Sequence, residues 1–350
     1  MVNVDIVKVI SLVLVFITHS TFLETYPQVI NLLQEYVLTS FMFLAGYMCQ
    51  RSLVKREYKV AEFWKNKLKV FLVPFWLMVA LWFVTKRQPF PPIPAYLAYA
   101  IGLNFLSFPP EWGLFSLWFA SVLLVYYLIF SLMGKHKKLT ATTVFLLVIG
   151  AITYFSSVSV SDWMLFTNFF FYIMPFAVGF FWSLDFSNRK MLLFTPALLL
   201  ITIGLIEVPV SGNVGTFLWQ SVNWLAQLVR SLAMVVVSLY MLSKVNNAKL
   251  SRFVTWVASG SLIIYLMEPI WSMWIGWLLF PQYIGNPGVQ FLITPEQSVI
   301  RVLVTIPIAF LASPAIYRFY LIIVRSFPRR LTVWLSRRRA AERSDAALTC

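Results

Sequence analysis

His19 is the side chain in this sequence best suited to moving a proton in apolar surroundings. It lies in the run ISLVLVFITHSTFL, Ile10–Leu23, and the only other histidine, His136, lies in the basic stretch GKHKK. An imidazole titrates near neutrality, so it can take a proton from a hydroxyl group and return it later. An ionisable group inside a membrane span is costly enough to be a functional candidate by default. Lys8 is the one basic residue ahead of His19 and stands eleven positions before it. On an α-helix that step is three turns plus roughly 20°, with a rise of about 16 Å. The two groups would therefore share a face at opposite ends of one span. The plainer alternatives are an imidazole bonded across helices and a lysine that only anchors the end of a span.

Two further charged residues fall in apolar runs at comparable depth, Arg230 in LAQLVRSLAMVVV and Glu268 in IIYLMEPIW. By rise per residue Arg230 lies about 12 Å below the outer surface and Glu268 faces it at nearly the same level. An Arg230–Glu268 pair is expected. It would either fix helix packing or line the same space as His19, with Glu268 orienting a base or binding an acceptor hydroxyl and Arg230 or Ser20 supplying donors to an oxyanion. The stretch 51–70, RSLVKREYKVAEFWKNKLKV, interleaves Lys65, Lys67 and Lys69 with Phe63 and Trp64. It reads either as a basic segment resting on anionic lipid or as a binding surface for a phosphorylated cytosolic donor, whose phosphates Lys8, Lys65, Lys67 and Lys69 would hold.

These residues need a membrane-embedded helical scaffold. The chain has 350 residues, is 60% hydrophobic and 12% charged, and has a mean hydropathy of +0.79; soluble domains carry about 25% charged residues. Ten runs suit spans of about 20 residues: 5–23, 36–54, 68–86, 113–133, 140–156, 163–182, 190–208, 222–243, 257–280 and 298–324. The expected fold is an all-α polytopic bundle of about ten transmembrane helices. With the N-terminus inside, the cytoplasmic segments hold 23 of the 28 Lys and Arg residues, while the outer loops hold only Lys86 and Arg87. That asymmetry follows the positive-inside rule and puts both termini in the cytoplasm.

The net charge of +15 is thus explained by topology, and nucleic acid is not an expected partner. Two cysteines, Cys49 and Cys350, do not suggest a disulfide framework or a metal site, and no metal is expected. Walker, dinucleotide and HExxH patterns are missing from the sequence. Asp5 and Lys8 beside the first apolar run, with no small-residue cleavage site after it, mark a retained span rather than a signal peptide. Residues 86–112 carry six prolines and form a long outer loop, read as an acceptor-binding rim, a lid or a passive cap. Residues 1–325 are read as one transmembrane domain. The tail 326–350 is read as a basic cytoplasmic stretch that lies on the inner leaflet and then becomes disordered.

Several segments together resemble the membrane-bound acyltransferase 3 family. DIVKVISLVLVFITHS resembles its opening span, in which a basic residue precedes a histidine by ten intervening positions; here these are Lys8 and His19, with lysine for the usual arginine and Thr18 for the usual glycine. FMFLAGYM, Phe41–Met48, is similar to the family's F-F-x-L-S-G-F motif, with Ala45 at the serine. FWKNKLKVFLVPFW, Phe63–Trp76, resembles the basic stretch leading to a proline, here Pro74. LWFASVLLVYY, Leu117–Tyr127, resembles the Leu-Trp-Phe span, with Ser116 at the histidine often seen before it. SLIIYLMEPIW, Ser261–Trp271, resembles a late I-Y-L-x-H-x-P-type span, with Glu268 at the usual histidine. The resemblance covers nearly the whole chain. It implies transfer of an acyl group, usually acetyl from acetyl-CoA, to a hydroxyl on a cell-envelope glycan, a lipid-linked sugar or a related acceptor at the plasma (inner) membrane.

Two other functions fit parts of the same sequence. A proton-coupled transporter or flippase for a glycan or lipid-linked substrate would also use a histidine and an Arg/Glu pair within the membrane. Binding or hydrolysis of acetyl-CoA separates it from an acyltransferase. A non-catalytic sensor or scaffold would account for the departures at Lys8, Ala45, Ser116 and Glu268.

Overall fold

A computed structural model describes residues 2–20, 26–86, 118–136, 138–144, 147, 164–182, 229–240, 248–286, 289 and 292–348, and these are helical with short connections. The helices are α1 Val2–Thr18, α2 Pro27–Lys55, α3 Val60–Lys67, α4 Val73–Lys86, α5 Trp118–Met133 and α6 Met164–Phe181. They continue with α7 Val229–Tyr240, α8 Ala248–Ser259, α9 Ser261–Leu279 and α10 Pro295–Leu348. Among the described residues, Val29–Lys55, Ser261–Leu279 and Pro295–Ile322 are long and apolar enough to cross a membrane. The expected spans 140–156 and 190–208, and the loop 86–112, lie wholly or mostly outside the described residues.

Three element boundaries depart from the sequence-based expectation. α1 ends at Thr18, so His19 stands just beyond the helix, although its N–H still reaches the Val15 carbonyl at 3.1 Å. α2 begins at Pro27, a favoured residue for a first helical turn, which carries Glu35 two turns into the helix. The tail is helical as far as Leu348, in continuity with α10, which starts at Pro295. The Arg-, Ala- and Leu-rich sequence after Pro328 has high intrinsic helix propensity, and it propagates a helix that is already nucleated.

Small residues set the closest approach. At the crossing of α2 and α6, a Cβ on Gly46 would lie 2.0 Å from the Phe176 carbonyl oxygen, and one on Gly179 would lie 2.0 Å from that of Phe43. The two backbones touch directly, as small residues allow between membrane helices. Gly46 is the glycine of the FMFLAGYM segment, so that motif is a packing device here.

Between α3 and α4 the backbone makes a π-helical turn, Leu68–Leu72. Pro74 follows it, and a proline has no N–H to give to the carbonyl four residues back. A widened turn accommodates that loss without breaking the rod. Side-chain bonds tie the remaining helices together. Tyr36 bonds Ser238 at 3.0 Å and Thr39 bonds Ser231 at 3.0 Å, joining α2 to α7. Trp64 bonds Ser131 at 2.9 Å, joining α3 to α5, and Trp271 bonds Ser313 at 3.1 Å, joining α9 to α10.

Candidate functional site

Three helices meet at His19. Its Nδ1–H donates to Oε2 of Glu268 on α9 at 2.9 Å. Ser272, one turn further along α9, donates to the other carboxylate oxygen, Oε1, at 2.9 Å. Glu268 is thereby held from two sides and is only 2% exposed. The His19 side chain keeps 39% of its surface open. With Nδ1 bound to the carboxylate, Nε2 carries the free lone pair. From α10, Arg301 Nη2 donates to the His19 carbonyl oxygen at 3.3 Å, and Arg301 itself is 1% exposed. A histidine oriented by a buried carboxylate is the arrangement of a general base.

The expected pair of Arg230 with Glu268 does not form. Arg230 Nη2 instead bonds Glu35 Oε2 on α2, while Glu268 is engaged by His19 and Ser272. Rise per residue fixes depth along a span, but it says nothing about which helices are neighbours. α7 lies against α2, as the Tyr36–Ser238 and Thr39–Ser231 bonds show, and the nearest carboxylate there is Glu35. Ser20 is also committed locally, since its hydroxyl donates to the Ile17 carbonyl.

At the other end of α1, Lys8 and Lys67 line a cavity of about 390 Å³, together with Asn66, Phe41, Tyr127 and Tyr265. Lys8 is 3.8 Å from Asp5. Lys67 Nζ rests 3.7 Å from the centre of the Tyr127 ring and 5.3 Å from that of Phe63, a cation–π arrangement. Burial, with a smaller contribution from neighbouring Arg56, pushes the Lys67 ammonium down to about 8. Lys65 and Lys69 are exposed and do not line this cavity. The Lys69 main-chain carbonyl accepts from the Tyr320 hydroxyl.

The cavity does not include the histidine. Tyr265 lines the cavity, and Glu268 stands three residues later on the same face of α9. Phe41 packs edge to face with both Phe119 and Tyr265, which are tilted against each other, with ring centres 5.2–5.9 Å apart. Phe41 and Tyr265 also border all three of the larger apolar clusters of the bundle. Lys8 and Lys67 suit the anionic end of a ligand, and the aromatic rings wall the same cavity.

Sequence reasoning named His19, Glu268, Lys8 and Lys67, and the structure brings the first two together and the last two together. It missed Glu35, because the second span was begun at residue 36. Arg301 fell inside the tenth expected span without being given a role. The signal that singled out His19, a charge-capable group in an apolar run, was equally present there. Comparison with curated proteins and with solved structures returns no match. The model of an acyltransferase domain, that of the acyltransferase 3 family, matches residues 1–318. With nine-tenths of its length covered by that model and a bundle of apolar helices around a histidine–carboxylate pair, the chain belongs to the acyltransferase 3 family.

Proposed function

We propose that the protein is a multi-pass O-acyltransferase of the plasma (inner) membrane. About ten spans lie within residues 1–325, and both termini and the basic tail 326–350 lie on the cytoplasmic side. It takes an acyl group, in the first instance acetyl, from cytosolic acyl-CoA and delivers it to a hydroxyl of a cell-envelope glycan or lipid-linked sugar. The observation that carries this reading is the 2.9 Å contact of His19 Nδ1 with the buried Glu268 carboxylate, in a helix bundle of this family.

The donor's phosphorylated head sits at the Lys8–Lys67 end, where charge-assisted bonds hold phosphate oxygens. Lys65 and Lys69, exposed at the same mouth, attract it electrostatically. The pantetheine arm follows the aromatic cavity past Phe41 and Tyr265 toward Glu268. An acceptor reaches His19 from the open side of the imidazole.

His19 Nε2 takes the hydroxyl proton as the acceptor oxygen attacks the thioester carbonyl. The new C–O bond forms, the tetrahedral intermediate collapses, and the C–S bond breaks. The departing CoA thiolate recovers the proton from the imidazolium. Glu268 keeps Nδ1 protonated, so that Nε2 is the basic nitrogen, and it stabilises the imidazolium while it exists. Direct transfer needs no acyl-enzyme, and single-turnover mixing with labelled acetyl-CoA in the absence of acceptor should trap none.

The test uses membranes or detergent-purified protein, acetyl-labelled CoA, and extracted envelope glycan as acceptor. Wild-type protein should transfer label. His19→Ala should lose about 10³-fold or more in turnover per folded molecule, within the range general base catalysis supplies. Wild-type turnover in His19→Ala removes His19 from the chemistry. If the wild-type protein neither binds nor consumes acetyl-CoA, the acyltransfer reading fails and coupled transport of the glycan becomes the reading to pursue.

A further inference from the structure

Arg301 is the largest fully buried side chain among the described residues, and the mechanism above makes no use of it. It lies on α10, two turns after that helix begins at Pro295. Nη2 bonds the His19 carbonyl oxygen at 3.3 Å, but Nε and Nη1 are buried without a hydrogen-bond partner. The carboxylate whose charge it feels is Glu268, although the two do not meet as an ion pair. A buried cation whose only task is to brace a helix bundle is normally fully paired and hydrogen-bonded. This one is paired with a main-chain oxygen at the residue that carries the imidazole.

Its two effects converge on the base. α1 stops at Thr18, so the His19 carbonyl is one of the orphan acceptors at a helix end. Arg301 caps it from a different helix and fixes where the imidazole starts. Its positive charge is also felt at Glu268, the carboxylate to which His19 Nδ1–H donates. Only the carboxylate holds Nδ1–H firmly and leaves Nε2 as the open nitrogen.

We infer that Arg301 is a positioning residue for acyl transfer: it anchors the His19 backbone and so holds the imidazole against Glu268 in the tautomer that leaves Nε2 open. This inference rests on the reading of His19 as the base. It assigns Arg301 no contact with either substrate, and the cavity lined by Lys8 and Lys67 does not include it.

The experiment compares Arg301→Gln, Glu268→Gln and the double variant in full-length protein, with His19→Ala as control. Steady-state transfer from acetyl-CoA is measured per folded molecule. Arg301→Gln should lower kcat on the order of 10²-fold, the lower end of what a general base contributes, with the KM for acetyl-CoA unchanged within about twofold. Glu268→Gln should show a similar loss. The double variant should be no more than about threefold slower than Glu268→Gln alone, because Arg301 acts through the same pair. If Arg301→Gln leaves an uncompensated carboxylate and does not fold, the comparison of Glu268→Gln with the double variant still decides, since both lack that charge.

Losses that multiply in the double variant overturn the inference. So does an unchanged kcat in folded Arg301→Gln, or a rise confined to KM. Adding guanidinium ion to Arg301→Ala should recover part of kcat and leave KM unchanged; recovery of the unfolding midpoint alone would reduce Arg301 to a brace. A dead His19→Ala beside a fully active Arg301→Gln sinks this inference only, whereas an active His19→Ala sinks the function from which it starts.

Discussion

Two charged clusters interrupt the apolar helices, and they are closed to different degrees. Arg230 and Glu35 bond each other directly, and their side chains are 13% and 14% exposed. Two hydroxyl pairs stand around them, Tyr36 with Ser238 and Thr39 with Ser231, all on α2 and α7. At His19 the charges do not cancel pairwise. The imidazole leans on Glu268 but keeps a free nitrogen and 39% of its side-chain surface, while the guanidinium beside it has two unpartnered nitrogens against one, Nε, at Arg230. A closed pair satisfies costly groups and fixes which helices are neighbours. An open one keeps an unmet bonding capacity, which is what a reaction consumes. Charge inside an apolar helix identifies both, and only the state of its bonds separates them.

Substitution should separate the clusters further. The largest effect is expected at His19, where His19→Ala removes about 10³-fold or more of turnover per folded molecule. Arg230→Gln should spare turnover and cost stability. Removing one member of a well-buried pair costs about 3–5 kcal/mol, and at this partial exposure the loss should be nearer 2–3 kcal/mol, read as a lower unfolding midpoint in detergent with kcat per folded molecule unchanged. A fall in kcat for Arg230→Gln at an unchanged midpoint would erase the distinction between the clusters.

Gly46→Ala tests the scaffold that both clusters share. Its new Cβ would fall 2.0 Å from a main-chain oxygen of Phe176. That atom cannot swing aside, so α2 and α6 must separate at a cost of about 1–3 kcal/mol or more. Thermal unfolding should report the loss, with Gly179→Ala similar because its clash is the mirror of the first.

The smallest expected effect concerns the donor end. Lys67 is held down to about 8 by burial, so its positive charge is present below pH 8 and is lost as the pH rises through that value. kcat/KM for acetyl-CoA, which reports free-enzyme ionisations, should therefore decline severalfold above pH 8. Lys67→Arg, whose guanidinium stays charged, should abolish that decline. A decline that persists in Lys67→Arg would assign it to another group.

The legible part of this molecule was what one helix reports about itself. Apolar runs located the elements, and rise per residue set Lys8 and His19 at opposite ends of one of them. Neighbour relations were not legible. Rise per residue set Glu268 and Arg230 at one expected depth, but α9 packs beside α1 and α7 beside α2, so the expected pair resolved into two. Glu35 was hidden by a boundary: the polar start PQVINLLQEY of α2 looks extramembranous until tertiary packing extends the helix through it. Arg301 was legible in type but not in use, because its partner is a main-chain carbonyl and any residue at position 19 has one.

The π-helical turn Leu68–Leu72 bears on how this chain tolerates change. A π turn is an α turn with one residue added, and each residue of an α-helix advances the chain by about 100°. The turn thus acts as a phase adjuster between the segment carrying Lys67 and the rod that follows it. Shortening it by one residue to a regular α turn would rotate everything upstream by that angle and swing the Lys67 ammonium off the Tyr127 ring, while the packing of α4 stayed as it is. Length within these five residues is therefore constrained more tightly than their identity, and side-chain exchanges here should be far better tolerated than a single deletion.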